Sequence, residues 1–394
     1  MCFSDSKGYF SSFRIGAYYL AAAARSDAHV KDLNECGIDF IIGVNNDKEL
    51  LDKLHLHGVR AIASGVFSGW FGGNGSNAGT MRTVNPIDSY RLAAERFVDH
   101  PALVGIDMGD EPSALDFPYY GEVIDLVSTL INDKLLYLNI YPSYGMLASN
   151  SDEQRRAELG TPTYPEYLDS YVRNVRLPYL SFDHYPFSSD KESFFSDLSA
   201  AAECAKESGR RLMTVLQVNS KKKERFTSIP ELRFQAFSAL CFGAATITWA
   251  CYSPGWWFNN VLDKEGNKTE QYDKLKQVNS ELHTLCQAKE GFRWQKAVEL
   301  ATEESLTLSE SCAVSASKGV LAGVFESPDG ESGILLTPSC VSGGANIVIS
   351  CHSGTKVACF GIDGVRSLTP PRNGAYSLSV SSSEAVFLAF SKDL

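Results

Sequence analysis

Between residues 14 and 290 short apolar runs alternate with amphipathic stretches. The runs are RIGAYYL (14–20), IDFIIGV (38–44), VRAIASG (59–65), LVGIDMG (103–109), LLYLNIY (135–141), YLSFDHY (179–185), LMTVLQV (212–218) and ATITWAC (245–251), eight in all. Rich in Val, Ile, Leu and aromatic residues, they are too uniformly apolar for a sheet with one wet face and predict parallel strands covered on both sides. Helical periodicity marks residues 47–57, 86–99, 117–132, 164–175, 191–208, 230–243 and 270–288. In the sixth of these, Leu232, Phe234, Phe237, Ala239, Leu240 and Cys241 recur at helical spacing, and Pro230 falls in the first turn, where a missing N–H costs little. Eight strands alternating with helices predict a (β/α)8 TIM barrel. A doubly wound sheet would need a glycine-rich phosphate turn after its first strand, and GAYYLAAAARS is not one.

After residue 293 the texture changes. Short β-prone runs (SCAVSAS, GVLAGVFES, GILLTPS, ANIVISC, TKVACFGI, AYSLSVSS, AVFLAF) follow one another with Gly, Ser, Pro and Asp between them. This spacing predicts a small antiparallel β-sandwich. The expected division is a catalytic barrel over residues 1–293 and a C-terminal sandwich over 294–394.

Composition narrows the function classes. The chain of 394 residues is 44% hydrophobic and 21% charged, ordinary for a globular protein. Its net charge of −11 argues against nucleic acid, whose phosphates need a basic face. Lys221, Lys222 and Lys223 form the only dense basic run and read as a solvated loop. No stretch approaches the roughly 20 apolar residues that cross a bilayer, and the opening MCFSDSKGYFSSFR lacks a signal-peptide pattern, so a cytoplasmic location is expected. The ten cysteines are scattered without a CxxC pair and read as reduced thiols rather than a disulfide framework.

The C-terminal ends of barrel strands carry active sites. Here they offer Tyr18 and Tyr19, Asn45 and Asn46, the loop SGWFGGNGSNAG (68–79) with Trp70 and Phe71, then Asp107, Asp110 and Glu111. Asn139 and Tyr141 follow, then Asp183, His184 and Tyr185, Gln217 and Asn219, and finally Trp249, Tyr252, Trp256 and Trp257. Acids, amides and aromatic rings suit sugars: rings stack on C–H faces while carboxylates and amides take the hydroxyls. Trp249 serves the core equally well, whereas Trp256 and Trp257 follow Pro254-Gly255 in a loop and favour ligand contact. Asp183-His184 has no second His at ligand spacing, so neither a metal nor a cofactor is expected. The candidate sugar contacts are therefore Trp70, Asn139, Tyr141, Asp183, Tyr185, Gln217, Trp249, Trp256 and Trp257.

Glu111 ends the fourth run, and Pro112 prevents the strand from continuing, turning the side chain into the site. An apolar pocket would raise its pKa and fit it to protonate a leaving oxygen.

On GIDMGDEP, FDHYPF and ELRFQAFSALCFGAATITWACYSPGW the chain resembles barrel glycoside hydrolases of the clan A type. In that clan strand 4 ends in Asn-Glu and strand 7 in a nucleophilic Glu; here Asp110 stands for the Asn, and strand 7 offers Gln217. A glutamine cannot form a glycosyl ester. The Asp-Glu pair is similar to that of the substrate-assisted β-N-acetylhexosaminidases of families 20 and 123. That resemblance implies Glu111 as general acid and then base, Asp110 orienting a 2-acetamido group, and an oxazoline intermediate. The expected substrate is an oligosaccharide or glycoconjugate cut from its end. Two alternatives stand beside it: a β-glycosidase acting on sugars without an acetamido group, with Asp183 as nucleophile or base, and a carbohydrate-binding barrel that has lost catalysis.

Overall fold

The computed structural model describes residues 6–72, 76–145, 151, 157–188, 191–302, 304–309, 312–351, 355–368 and 375–392. Residues 1–5 of the opening segment and 73–75 of the glycine loop lie outside them.

All eight apolar runs are strands: β1 (Arg14–Tyr18), β2 (Phe40–Asn45), β3 (Arg60–Ser64), β4 (Leu103–Asp110), β5 (Leu135–Ile140), β6 (Tyr179–His184), β7 (Arg211–Gln217) and β8 (Ala244–Ala250). They pair in sequence order, and β8 pairs with β1, closing a parallel barrel. Every residue of β5 and β6 is buried, as the unbroken apolar pattern requires of strands covered on both faces.

The helices repeat the logic at a different period. In Tyr164–Asn174, Tyr164, Tyr167, Leu168 and Tyr171 form one buried stripe, and Thr163 with Glu166 closes a capping box at its start. A helix that no apolar period announces, Asp27–Glu35, joins β1 to β2; it buries only Val30 and Leu33, too few positions to register as a period.

The chain divides into two compact units, residues 1–226 with 245–272, and residues 227–244 with 273–394. The second unit holds two antiparallel sheets. One has the order β10 (Ser305–Ser309), β11 (Cys312–Ala316), β14 (Ala345–Cys351), β17 (Ala375–Val380). The other runs β16 (Gly364–Arg366), β15 (Thr355–Gly361), β18 (Val386–Lys392), β13 (Ser332–Pro338), β12 (Val320–Glu326), β9 (Arg293–Leu300). Val314, Ile347 and Ile349 of the first sheet join Val320, Ile334, Leu336 and Leu388 of the second in one core, which makes the pair a sandwich. The helix Ile229–Cys241 belongs to this unit. Trp294 Nε1 donates to the Cys241 carbonyl over 2.9 Å, and Gly323 packs so close that an added Cβ would stand 2.4 Å from that oxygen.

Candidate active site

The site begins with a bulge. Along β4 and β5, Asp107 pairs with Tyr137, but Gly109 pairs with Leu138 and Asp110 with Asn139, so β4 carries one extra residue at Met108. Strict alternation from Asp107 would face Gly109 and Glu111 inward; the extra residue makes Asp110 the next inward side chain. Gly109 takes φ +143°, and a Cβ there would meet Tyr120 Oη at 2.3 Å, so only glycine fits the bend. Glu111 follows at φ +45°, a left-handed conformation that costs a non-glycine residue of the order of 1–3 kcal/mol and turns its side chain back toward the mouth. The glycine loop holds this strained dipeptide. Asp110 N donates to Trp70 O over 2.8 Å, and Gly72 N donates to Glu111 O over 3.1 Å.

Register then assembles a polar layer. Asp110, Asn139 and Ser181 are partners across β4, β5 and β6. Asn139 Nδ2 donates to Asp110 Oδ1 (3.2 Å) and to Asp183 Oδ1 (2.8 Å), while Ser181 Oγ donates to Asn139 Oδ1 (3.0 Å). The carboxyls of Glu111 and Asp183 are hydrogen-bonded to each other. Two acids thus stand on one amide and a third on Asp183, and the ionisation of the three is mutually opposed.

Each is displaced from its ordinary range. Burial, then the charges of Asp183 and Asp110, hold Glu111 well above the usual carboxylate range. Asp110 is enclosed by the barrel wall yet open to the cavity; desolvation, and next Asp183, push it up to about 8 against the Asn139 bond. Burial pushes Asp183 up to about 6, opposed first by Asn139. Asp107, below them, is raised by burial and held by Ser64 Oγ at 2.7 Å and Gly109 N at 3.1 Å.

Aromatic residues surround the acids. Tyr185 donates to Asp183 and meets Trp257 edge-on at 5.1 Å. Trp256 is 37% exposed and stands edge-on to Tyr18 at 6.1 Å. Lys221 Nζ lies over the Trp257 ring at 5.4 Å. Tyr141 is buried beside Glu111, whose charge adds to burial in pushing its phenol up.

Three expected sugar contacts face the protein instead. Trp249 is fully buried opposite Ala17 of β1 and belongs to the barrel interior. Gln217 is sealed: its Oε1 accepts from Phe187 N (2.9 Å), and its Nε2 donates to Ser188 Oγ (2.9 Å) and Asn219 O (3.0 Å). Trp70 is buried with its indole toward the Asp116 carboxyl, which accepts from the Gly79 and Met81 N–H groups. The ring that opens to solvent from that loop is its neighbour Phe71, 44% exposed and bridged to Asp110. Phe71 was visible in the sequence beside Trp70, but only the bridge register decides which of the two points outward. Asn139, expected to touch sugar, is 3% exposed and committed to the acids.

Among the described residues no group of three or more His, Cys, Asp and Glu side chains is arranged to hold a metal ion. Likewise no helix among them is long and apolar enough to cross a membrane.

No protein-family model matches the sequence, and no curated protein matches it. Solved structures do. A family 39 glycoside hydrolase from Bacteroides cellulosilyticus is similar at 11% identity and a TM-score of 0.51, over 96% of this chain and 81% of that one. A catalytic mutant of a family 42 β-galactosidase from G. stearothermophilus is similar at 8% identity and a TM-score of 0.55, over 97% of this chain and 98% of that one. At these identities the likeness is one of fold: a (β/α)8 barrel followed by a β-sandwich.

Proposed function

We propose that this protein is a glycoside hydrolase, and specifically a retaining β-N-acetylhexosaminidase acting on chain ends by substrate assistance. Glu111 gives its proton to the glycosidic oxygen as the bond to C1 breaks. The carbonyl oxygen of the substrate's 2-acetamido group attacks C1 and closes an oxazolinium ring. Asp110, in the fraction of the protein that holds it ionised, accepts the acetamido N–H and offsets the positive charge that develops. Glu111, now a carboxylate, takes a proton from water as the water attacks C1 and reopens the ring.

The observation that carries this reading is the contact between Glu111 and Asp183. A retaining enzyme with its own nucleophile keeps acid and nucleophile about 5–5.5 Å apart, leaving the anomeric carbon between them. Asp183 instead touches the acid, and at the end of β7 stands the sealed amide of Gln217. What remains open to the cavity beside the acid is Asp110, suited to an acetamido group. Both similar structures are named as glycoside hydrolases, which supports the class; the acetamido preference rests on the acids alone.

The test is a panel of nitrophenyl β-glycosides in gluco and galacto forms, each with and without the 2-acetamido group. Hydrolysis confined to the acetamido sugars is expected. Comparable rates on the parent sugars would return the reading to Asp183 as nucleophile or base, and no hydrolysis of either would leave a binding barrel.

A further inference from the structure

The amide of Asn139 has only one workable orientation. Its Nδ2 faces two carboxyls, and turning it over would point Oδ1 at both, oxygen against oxygen. Oδ1 therefore faces Ser181, which must donate its hydroxyl hydrogen to it. With that hydrogen used, Ser181 Oγ accepts from Tyr137 Oη at 3.1 Å, and Tyr137 in turn accepts from Tyr18 Oη at 3.0 Å. The direction of every hydrogen bond from Tyr18 to the acids follows from that one amide.

Both N–H bonds of Asn139 are spent, so none is left for a sugar hydroxyl. We propose that Asn139 is a positioning residue: its amide, pinned by the Ser181 hydroxyl, cross-links Asp110 and Asp183 as acceptors and so leaves Glu111, rather than Asp183, as the member of their hydrogen-bonded pair that carries the proton. The inference rests on the reading of Glu111 as proton donor. Asn139 donates to Asp183 and not to Glu111, so of these two hydrogen-bonded acids the charge is favoured on Asp183 and the proton on Glu111. The effect on Asp183 has the same sense, since the Asn139 bond opposes the rise that burial imposes.

The experiment is a carboxyl titration by 13C NMR on the full chain, with the Asp183 signal identified by its loss in Asp183→Asn. In Asn139→Ala the Asp183 midpoint should rise by at least about one pH unit, since a hydrogen bond to a charged group is worth that much or more. In Ser181→Ala, which keeps the amide but frees its oxygen, a smaller rise of the same sign is expected, and this variant carries the test if Asn139→Ala does not fold. The pH–rate profile should shift in both variants, since the same pair of carboxyls governs the proton of the acid. An Asp183 midpoint unmoved in both, with KM raised and the pH profile unchanged, would overturn the proposal and return Asn139 to the substrate contacts. The titration needs no turnover. If the wild-type protein cleaves no glycoside and the midpoint still moves, the hydrolase reading falls and the positioning role stands.

Discussion

Glu111 and Asp183 share a carboxyl–carboxyl hydrogen bond within the barrel mouth. Such a bond needs at least one proton between two acids, and two causes favour Glu111 as its holder. Burial and the Asp183 and Asp110 charges hold Glu111 well above the carboxylate range, while the Asn139 hydrogen bond opposes the burial that raises Asp183, which reaches only about 6. The pair is a device for keeping a carboxylic acid protonated in neutral solution.

Replacing Asp183 by Asn removes the charge that raises Glu111, so the Glu111 pKa should fall. The alkaline limb of kcat/KM, which reports loss of the acid's proton, should move to lower pH by roughly one unit. Glu111→Gln should cost about 10²–10⁴-fold on substrates with poor leaving groups and less on nitrophenyl glycosides, whose leaving group needs little protonation. Equal losses on both substrates would remove Glu111 from the role of acid.

Gln217→Glu restores the residue type that a clan A nucleophile would require, and the surroundings predict that it fails. The carboxylate loses the two donations to Ser188 Oγ and Asn219 O and sets a buried charge against a carbonyl. A destabilisation of about 3 kcal/mol or more is expected. Because burial raises the new carboxyl's folded pKa above its unfolded one, the penalty grows as pH rises between the two; the gap in melting temperature from wild type should be wider at pH 8 than at pH 5. A Gln217→Glu protein that is stable at pH 8 and cleaves sugars lacking the acetamido group would show that β7 reaches the site after all.

Cys312 and Cys351 are direct partners across β11 and β14, with sulfurs 3.2 Å apart. Opposed residues in antiparallel strands have Cα atoms about 4.5–5.5 Å apart, inside the range of about 4.4–6.8 Å that a disulfide spans. Burial, and then the neighbouring Cys312, hold the Cys351 thiol up to about 12, so little thiolate is present at neutral pH. Slow oxidation is expected with a stoichiometric thiol oxidant, giving the loss of two hydrogens by mass. Closing a loop of 39 positions corresponds to about 4 kcal/mol of unfolded-state entropy. The sandwich should melt higher after oxidation and return to its starting value with a reductant; an unchanged melt would mean that strain cancels the entropy.

The eight barrel strands were legible because strands buried on both faces are apolar at every position, a signal that survives without knowing which way any side chain points. The helix Asp27–Glu35 was not, since two buried residues make no period. Nor was β9, whose sequence RWQKAVEL is only half-buried along its length and shows no clean alternation. The same limit governs the site. Strand ends placed Asp110, Glu111, Asn139 and Asp183 close together from the sequence alone, but identity at a strand end does not reveal the face. Trp249 and Gln217 turn into the protein, and the bulge at Met108 reverses the parity of β4. Such a bulge leaves no mark in the residue types beyond one glycine.

Asp110→Asn separates what this carboxyl costs the fold from what it gives a ligand. Unfolded, the group ionises near 4; folded, burial and Asp183 push it up to about 8. Between those values the folded chain holds a proton that the unfolded chain has lost, so stability falls as pH climbs through that window. The asparagine variant should therefore melt with wild type at pH 4 and above it at pH 9. Ligand binding should move the other way. A thiazoline analogue of the oxazolinium places a positive bicyclic ring against Asp110 and should bind at least ~10²-fold more tightly than the product sugar, the usual advantage of a mimic of the stabilised state. The amide cannot offset that charge, so Asp110→Asn should lose most of the gain while binding product nearly as well as wild type. A variant more stable at high pH that still prefers the thiazoline would confine Asp110 to the electrostatics of the apo barrel and remove it from the acetamido group.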